Sequence, residues 1–513
     1  MKDIIAIIGC GATAIAFIKR YLDNAASYQP CSATIYLFEQ RQSFGAGAAY
    51  EDDVSSNLLN TKTSIVSPYP QSPGHFKSWL EENPDLWRSR FPDFIPVPDS
   101  FAPRPLFGMY LQSELKRLIL LGASLGCNIV LMNAEVKDVE FFAGAERILT
   151  RCGTAVLVDK VFLFCGAPRA GNSTKYPTLG VSEFPYPIKN LIQKVEPLEK
   201  IAIIGARLSA IDTVIGLIEN GHRGLIRIHS RSGYFPMARG SQEGVRLRFL
   251  TRDAIEKIAQ IKGALTFFDL QELFLKELAF HDPGSSFQFA SLKAPPVDIV
   301  KFIEDELVYS ARPRVWQAIL YATNEFVELI WRSLSESDQI EFMAKYFSMF
   351  MAYRVSVPAA NLRKILEYLK DGKLEFVAGP LSISGGADSA KPIVASGQVE
   401  YAYDRLIFAT GLSRSLEDFG SDLILSLLSQ RAIRPHPMGG VFVDPETYRV
   451  EGLLTKKRQI YAVGEIIVGQ HFFTSALDIN GRHAVRCADA LFKADAVQEP
   501  DRNSRLDMKA KVS

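Results

Sequence analysis

The chain has 513 residues, with 58 basic and 57 acidic side chains and a formal net charge of +1. That length predicts two or three domains, and 47% hydrophobic with 22% charged residues is ordinary globular composition. Near-neutrality gives no electrostatic grip on nucleic acid or on an anionic membrane, and no apolar run reaches the roughly 20 residues needed to cross a bilayer. A cytoplasmic location is the expectation.

The chain opens with MKDIIAIIG. No small-residue cleavage site follows the short apolar run, so it is expected to be a first β-strand rather than a signal peptide. Next comes Gly9-Cys10-Gly11-Ala12-Thr13-Ala14 and an apolar helical stretch to about Leu22. This is the spacing G-x-G-x-x-G/A. Gly9 permits a tight turn, Gly11 lets backbone approach a pyrophosphate, and Ala14 lets the helix pack close to the strand. The helix N-terminus then offers free N–H groups to phosphate. A second strand, Thr34–Phe38, ends at Glu39 and Gln40. A carboxylate there accepts ribose hydroxyls and repels a 2′-phosphate, which suits FAD or NAD better than NADP. Phe44-Gly45-Ala46-Gly47 follows; these small residues are either a flavin-contacting loop or a flexible connection.

A second strand–glycine–helix unit begins at Ile201–Ile204, with Gly205-Ala206-Arg207-Leu208-Ser209-Ala210 and a helix to about Glu219. Arg207 stands where the second glycine is usual. It crowds close pyrophosphate approach or turns to pair with phosphate. The next strand, Leu225–His229, leads to Ser230-Arg231-Ser232, and a guanidinium with hydroxyls there suits the 2′-phosphate of NADPH. Alternatively, Arg207 and Arg231 are solvated residues of a non-binding unit. Residues 240–350 carry long amphipathic patterns with few strand signals, predicting a helical insertion. A last strand, Gln459–Val463, precedes Gly464-Glu465, and residues 493–513 lack apolar periodicity and are expected to be a frayed tail. The six cysteines form no close pair and the seven histidines no ligand cluster, so neither a disulfide framework nor a metal is expected.

The segments GCGATA at 9–14, LFEQ at 37–40, GAGAAY at 45–50, NLLNT at 57–61, FKSWL at 76–80 and PRPLFGMYL at 103–111 come in the same order as in a known group. So do IIGARLSAIDT at 203–213, GHRGLIRIHSRSGYFP at 221–236, RVSVPAANLRKILEYLKDGKLEFVAG at 354–379, FATGL at 408–412 and IYAVGE at 460–465. Together they resemble the two-dinucleotide flavoproteins that include N-hydroxylating flavin monooxygenases, and more closely bacterial FAD/NAD(P)-binding proteins related to nitrosuccinate-forming enzymes. The resemblance implies an α/β fold with two Rossmann-like dinucleotide-binding domains. The FAD domain would be discontinuous (1–197 and 409–492), the NAD(P)H domain inserted (198–408, with the helical insertion), and 493–513 a flexible tail.

The resemblance also implies site residues. Asn57, Leu59, Asn60 and Thr61 would lie near the flavin ring. Arg104 and Tyr110 would face the cofactor, and Val136 and Gly166 are further cofactor contacts. Thr410 and Gly411 would mark the return to the FAD unit. Gly464 and Glu465 would lie along the ribityl–phosphate chain, with Glu465 longer than the usual aspartate. Phe473 and Thr474 lie in a segment that either caps the flavin or packs as a loop. Phe76, Trp79 and Leu80 have helical spacing and are expected in the core. With both cofactors, hydride passes from NADPH to FAD, and reduced flavin with molecular oxygen forms a flavin hydroperoxide that hydroxylates the nitrogen of an amino acid or small amine. Arg104, Arg239 and Arg354 are candidates to clamp a substrate carboxylate, although periodicity does not bring them together. Two alternatives stand beside this one: a flavin dehydrogenase or reductase without oxygenation, and a non-catalytic FAD-binding module using the helical region as a partner surface.

Overall fold

The computed structural model describes residues 3–28, 32–142, 145–166, 182–241, 243–285, 287–289, 292, 294–385, 391–453 and 458–510, with side chains described as far as Lys493. Two five-stranded parallel sheets organise the chain. The first runs Ile460–Ala462, Lys160–Leu163, Asp3–Ile8, Ala33–Glu39, Cys127–Asn133. The second runs Leu374–Ala378, Ile226–Ser230, Ile201–Ile204, Arg405–Phe408, Ser182–Glu183. The central strand of the second, Ile201–Ile204, is buried along its whole length and that of the first, Asp3–Ile8, over its last four residues, which is why they read as apolar runs. Each sheet carries an antiparallel three-stranded meander, Val136–Phe142, Ala145–Thr150 and Ala155–Val158 in one, and Leu381–Gly385, Pro392–Ser396 and Val399–Ala402 in the other. The architecture is thus a duplicated Rossmann-like unit, as expected.

In both units the strand order reverses beside the first strand, which opens a crevice at the carboxyl ends of the strands. The same contact shapes both crevices. Gly9 has φ +102°, and a Cβ there would lie 2.1 Å from the Phe164 carbonyl oxygen. Gly205 has φ +109°, and its Cβ would lie 2.4 Å from the Ala409 carbonyl oxygen. Only glycine satisfies both the backbone angle and the approach.

Two boundaries differ from expectation. The second sheet recruits Ser182–Glu183, paired to Arg405–Phe408, so this unit reaches back before residue 198. The final helix, Leu477–Ala510, continues through residues expected to fray. A helix needs formers such as Ala, Lys and Arg, not an apolar stripe. Among the described residues no helix is long and apolar enough to cross a membrane.

Residues 240–350 are helical, as the periodicity predicts. Helices Arg252–Lys262 and Phe267–His281 are N-capped by Thr251 and Thr266, the latter through a capping box with Asp269. This region packs mostly on the C-terminal part of the first unit. Its core joins Leu273, Phe274, Ile319 and Trp331 to Phe472, Phe473 and Ile479.

Polar ties join the Rossmann units. Asp53 accepts from the Ile188 and Lys189 N–H groups, 3.0 and 2.8 Å, at the start of helix Ile188–Ile192. Arg104, at the start of helix Arg104–Ser124, pairs with Asp212 on helix Leu208–Glu219 at 3.1 Å. Tyr186 joins them, donating to Asp212 at 2.7 Å with the Arg104 guanidinium 5.7 Å from its ring. Burial pushes the Asp212 carboxyl upward against the pull of Arg104. Arg104→Ala strands that carboxylate and is expected to cost about 3–5 kcal/mol, seen as a lower urea midpoint that Arg104→Lys partly restores. Gly108 lies against the Tyr50 carbonyl oxygen, 1.9 Å from where a Cβ would stand. Gly108→Ala must therefore push the 45–50 loop off helix Arg104–Ser124. It is expected to lose about 1–3 kcal/mol in the same measurement, together with retained flavin.

Candidate functional site

The first crevice is floored by bare backbone. Gly45 donates to the Cys10 carbonyl at 3.1 Å, which folds the 45–47 turn over the Gly9–Ala14 loop. Gly11 and Gly47 then face each other, and a Cβ on Gly47 would lie 3.1 Å from the Gly11 Cα. Side chains at either position would fill the floor on which a pyrophosphate lies, so the cradle fits a dinucleotide. Ala12, Thr13 and Ala14 open helix Ala12–Tyr28 beside it. Glu39 is buried at the carboxyl end of its strand, and its carboxylate accepts from the Cys10 N–H at 3.2 Å and the Arg41 N–H at 3.0 Å. It thus faces the glycine loop, where ribose hydroxyls come to rest. Gln40 follows at the strand end. Asn133 donates to the Glu39 and Arg41 carbonyls and fixes this edge, and Val136 starts the next strand in a buried position. Gly166 is exposed with φ +72°.

The 57–61 segment is divided. Asn57 is buried, donates to Asp53 at 2.7 Å, and leaves its Oδ1 without a partner. That orphan acceptor is available to a ligand N–H. Leu59 is buried and bonded through its N–H to Ala102, whereas Asn60 is exposed and Thr61 half-buried. Tyr110 lies in the core. It is fully buried, 2.8 Å from His75 Nδ1, in an aromatic group with Phe76, Trp79 and Phe107. Phe76, Trp79 and Leu80 lie in the core, as their spacing implies.

The C-terminal return is the most constrained stretch. Gly464 has φ +98° and precedes Glu465. Thr474 donates to Glu465 at 3.0 Å. Burial raises the Glu465 carboxyl, opposed by Thr474 and Arg414. Between them Phe472 has φ +62° and ψ −59°, and Phe473 N–H donates to the His471 carbonyl at 2.7 Å. This is the rare, strained form of γ-turn. The strain is held by packing: Phe472 stacks on Trp331 at 4.6 Å and meets Phe342, Phe347 and Phe350. A π-helical turn at Phe342–Tyr346 separates the first of these rings from the other two. Trp331 Nε1 also donates to the Gly469 carbonyl at 2.7 Å.

In the second crevice Arg207 is extended and caps helix Leu208–Glu219, which begins with Leu208 and Ser209. Burial lowers its pKa, and no carboxylate lies within ion-pair distance among the described residues. Its guanidinium is 5.7 Å from the Phe347 ring. Arg414 reaches the same ring at 5.2 Å, is pulled down to about 10 by burial, and donates to the Phe472 carbonyl at 2.9 Å. Phe347 thus lies between a side chain of the second glycine loop and one tied to the Glu465 segment. Ser230 is buried, and Arg231 and Ser232 are exposed at the turn closed by Gly233 N–H to the Ser230 carbonyl. Thr410 and Gly411 are exposed beside Ala409, Gly411 with φ +85°.

The three clamp candidates separate. Arg104 is committed to Asp212 and does not join the others. Arg239 and Arg354 do converge: their guanidiniums lie 3.9 and 4.7 Å from the Tyr321 ring. Arg354 also lies 5.1 Å from the Phe473 ring and bonds the Asn324 side chain. A cavity of about 800 Å³ opens beside Asn324, with Tyr69, Arg246, Glu325, Asp478 and Arg482 on its wall. Sequence reading missed Tyr321, Phe347, Trp331 and Arg414. The FATGL segment just before Arg414 was the available signal for that residue alone.

Residues 6–168 match the family described as FAD-NAD(P)-binding. No curated protein matches the chain in sequence. Among solved structures, L-lysine 6-monooxygenase from Pseudomonas syringae superposes with a TM-score of 0.58 at 15% identity, covering 96% of this chain and 100% of that one. The reduced form of ornithine hydroxylase from Pseudomonas aeruginosa gives 0.54 at 16%, covering 96% and 99%. Ornithine N-hydroxylase from Kutzneria sp. 744, with reduced FAD, NADP+ and L-ornithine, gives 0.54 at 15%, covering 96% and 100%. Residues 6–168 therefore carry an FAD-NAD(P)-binding domain, and the chain as a whole shares the two-dinucleotide fold of these solved monooxygenases.

Proposed function

We propose that this protein is an NADPH-dependent flavin monooxygenase that hydroxylates the nitrogen of an amino acid or small amine. The observation that carries the reading is the Arg207–Phe347–Arg414 contact, which brings the second glycine loop beside the Glu465–Phe472 segment of the first unit. Residues 1–197 and 409–492 would hold FAD and residues 198–408 NADPH, with 182–192 belonging to the latter unit. Bound together, the cofactors supply hydride transfer to the flavin and transfer of one atom of molecular oxygen to the amine. The protein's own residues bind, orient and dry the cleft. Gly9, Gly11 and Gly47 admit the FAD pyrophosphate, and Glu39 accepts ribose hydroxyls. Arg207 meets the NADPH pyrophosphate with a side chain where the usual loop uses backbone. Ser230, Arg231 and Ser232 receive the 2′-phosphate. Phe342, Phe347, Phe350 and Phe472 form an apolar cover that keeps water from the reacting centre. The names of the solved relatives, which act on lysine and ornithine, support nitrogen as the site of oxygenation.

A flavin reductase is the second reading, favoured by the same contact between the two units. Anaerobic NADPH is expected to bleach the flavin band near ~450 nm, a property of the cofactor itself. On readmitting oxygen, NADPH consumption is expected to match hydroxylated amine. Bleaching followed only by hydrogen peroxide, across amino acids and amines, leaves the reductase. A band that survives NADPH overturns both readings. Arg231→Ala is expected to raise KM for NADPH about 10- to 100-fold, since a charge-assisted bond contributes about 1.5–3 kcal/mol. KM for NADH, which lacks the 2′-phosphate, should hardly move. Equal effects on both would remove Arg231 from phosphate recognition.

A further inference from the structure

The geometry points to a carboxylate seat formed by Arg239 and Arg354 against the Tyr321 ring, so that the amine taken by this protein also bears a carboxylate and is not a simple diamine. The role of the seat in turnover rests on the oxygenase reading; the seat itself does not.

A guanidinium withdrawn from water is costly unless an anion meets it. Arg354 is 6% exposed, and burial brings its pKa down to about 10. Arg239 approaches the same ring and pushes Arg354 further down. Neither arginine has a carboxylate within ion-pair distance among the described residues. Asp478, whose charge acts on Arg354, is engaged by Asn324 at 3.0 Å and Arg482 at 3.4 Å. The ring face eases the cost through cation–π attraction but carries no charge to neutralise two cations. Close by, the fold does neutralise a buried arginine: Arg314 pairs with Glu306 at 2.8 Å. Leaving Arg239 and Arg354 without such a partner is thus local and specific.

The pair is also held in place. Arg239 N–H donates to the Val357 carbonyl at 2.8 Å, and Val357 N–H to the Met237 carbonyl at 2.9 Å. On either side of Arg239, Ala238 N–H donates to Glu306 and Gly240 N–H to Gln317, both at 2.9 Å. Tyr321 is fixed by a 2.6 Å hydrogen bond between its hydroxyl and Ser356. The N–H groups of Ala238, Arg239, Gly240 and Val357 are thus all bonded, while the two forks are not matched by an acid. That is the arrangement of a preorganised anion site. Phe473 lies against Arg354 and is followed by Thr474 on Glu465, which connects the seat to the proposed flavin end. A carboxylate here would set the amine of the same molecule toward that end. A dication without a carboxylate would meet two like charges instead.

Calorimetric titration of the FAD-loaded protein, without NADPH, tests this independently of any oxygenation. The probes are succinate, the standard L-amino acids, cadaverine and putrescine. At least one carboxylate is expected to bind saturably and the two diamines not to bind. Arg239→Gln should weaken that binding about 10- to 100-fold, and Arg354→Lys less than Arg354→Gln. Variants are compared at equal bound flavin, and Arg239→Gln with Arg354→Lys keeps the test open if Arg354→Gln does not fold. Diamines binding as tightly as carboxylates, no carboxylate binding at all, or binding indifferent to both substitutions overturns the seat. If a carboxylate binds through the arginines but no amine is oxygenated, the seat stands and the oxygenase reading falls.

Discussion

The structure depends on one contact made twice: a glycine at the end of a central strand presses on the carbonyl that leaves the neighbouring strand. Gly9 meets Phe164 and Gly205 meets Ala409. No side chain fits either approach, and the positive φ excludes most residues besides. Because the two strands stay this close, the following helices start at the carboxyl edge of each sheet with their free N–H groups aimed into the crevice. Gly11, Gly47 and Glu39 in one unit, and Arg207, Ser230 and Arg231 in the other, are arranged around that edge. Without the glycine contact neither crevice would have a floor.

The crevices are brought to one place by elements that belong to neither sheet. Arg104–Asp212 and Asp53 at helix Ile188–Ile192 bind one Rossmann unit to the other. The helical region then closes over the junction. Its Trp331, Phe342, Phe347 and Phe350 hold Phe472 in a backbone conformation that an isolated chain would leave. The strain is therefore sustained by aromatic burial, and it sets the direction in which Phe473 and Thr474 leave the turn. The helical region accordingly has a stated physical role in the cleft, which weakens the reading that reserves it as a surface for a partner.

What could be read in the sequence was local. The glycine spacings, the strands before them and the helices after them follow from steric rules that operate within about 15 residues. The helical character of 240–350 was legible for the same reason. Its placement was not, because Trp331–Gly469 and Arg239–Val357 join segments far apart in sequence. Arg104 was read as a possible substrate clamp because an arginine beside a cofactor motif shows no sign of a partner in a remote helix. Tyr110 faced the core rather than the cofactor for a comparable reason: its face of helix Arg104–Ser124 is chosen by Phe76 and Trp79, which lie on a different helix. The last helix went unread because an apolar stripe was required where good helix formers sufficed.

Charge distribution carries the argument beyond fold. A chain with a net charge of +1 has nearly enough acids to match its bases, and the buried and half-buried arginines show how they were allotted. Arg104 has Asp212 and Arg314 has Glu306. Arg207, Arg414, Arg239 and Arg354 have aromatic rings and carbonyl or amide oxygens instead. The first two arginines hold the protein together, and removing either partner leaves a stranded charge. The other four cluster in two pairs, one across Phe347 between the second glycine loop and the Glu465 segment, and one on Tyr321 beside Phe473. Aromatic faces tolerate a guanidinium without neutralising it, which is why both pairs are proposed to meet anions. One pair stands where dinucleotide phosphates would cross, and the other where a second, smaller anion could reach the same cleft.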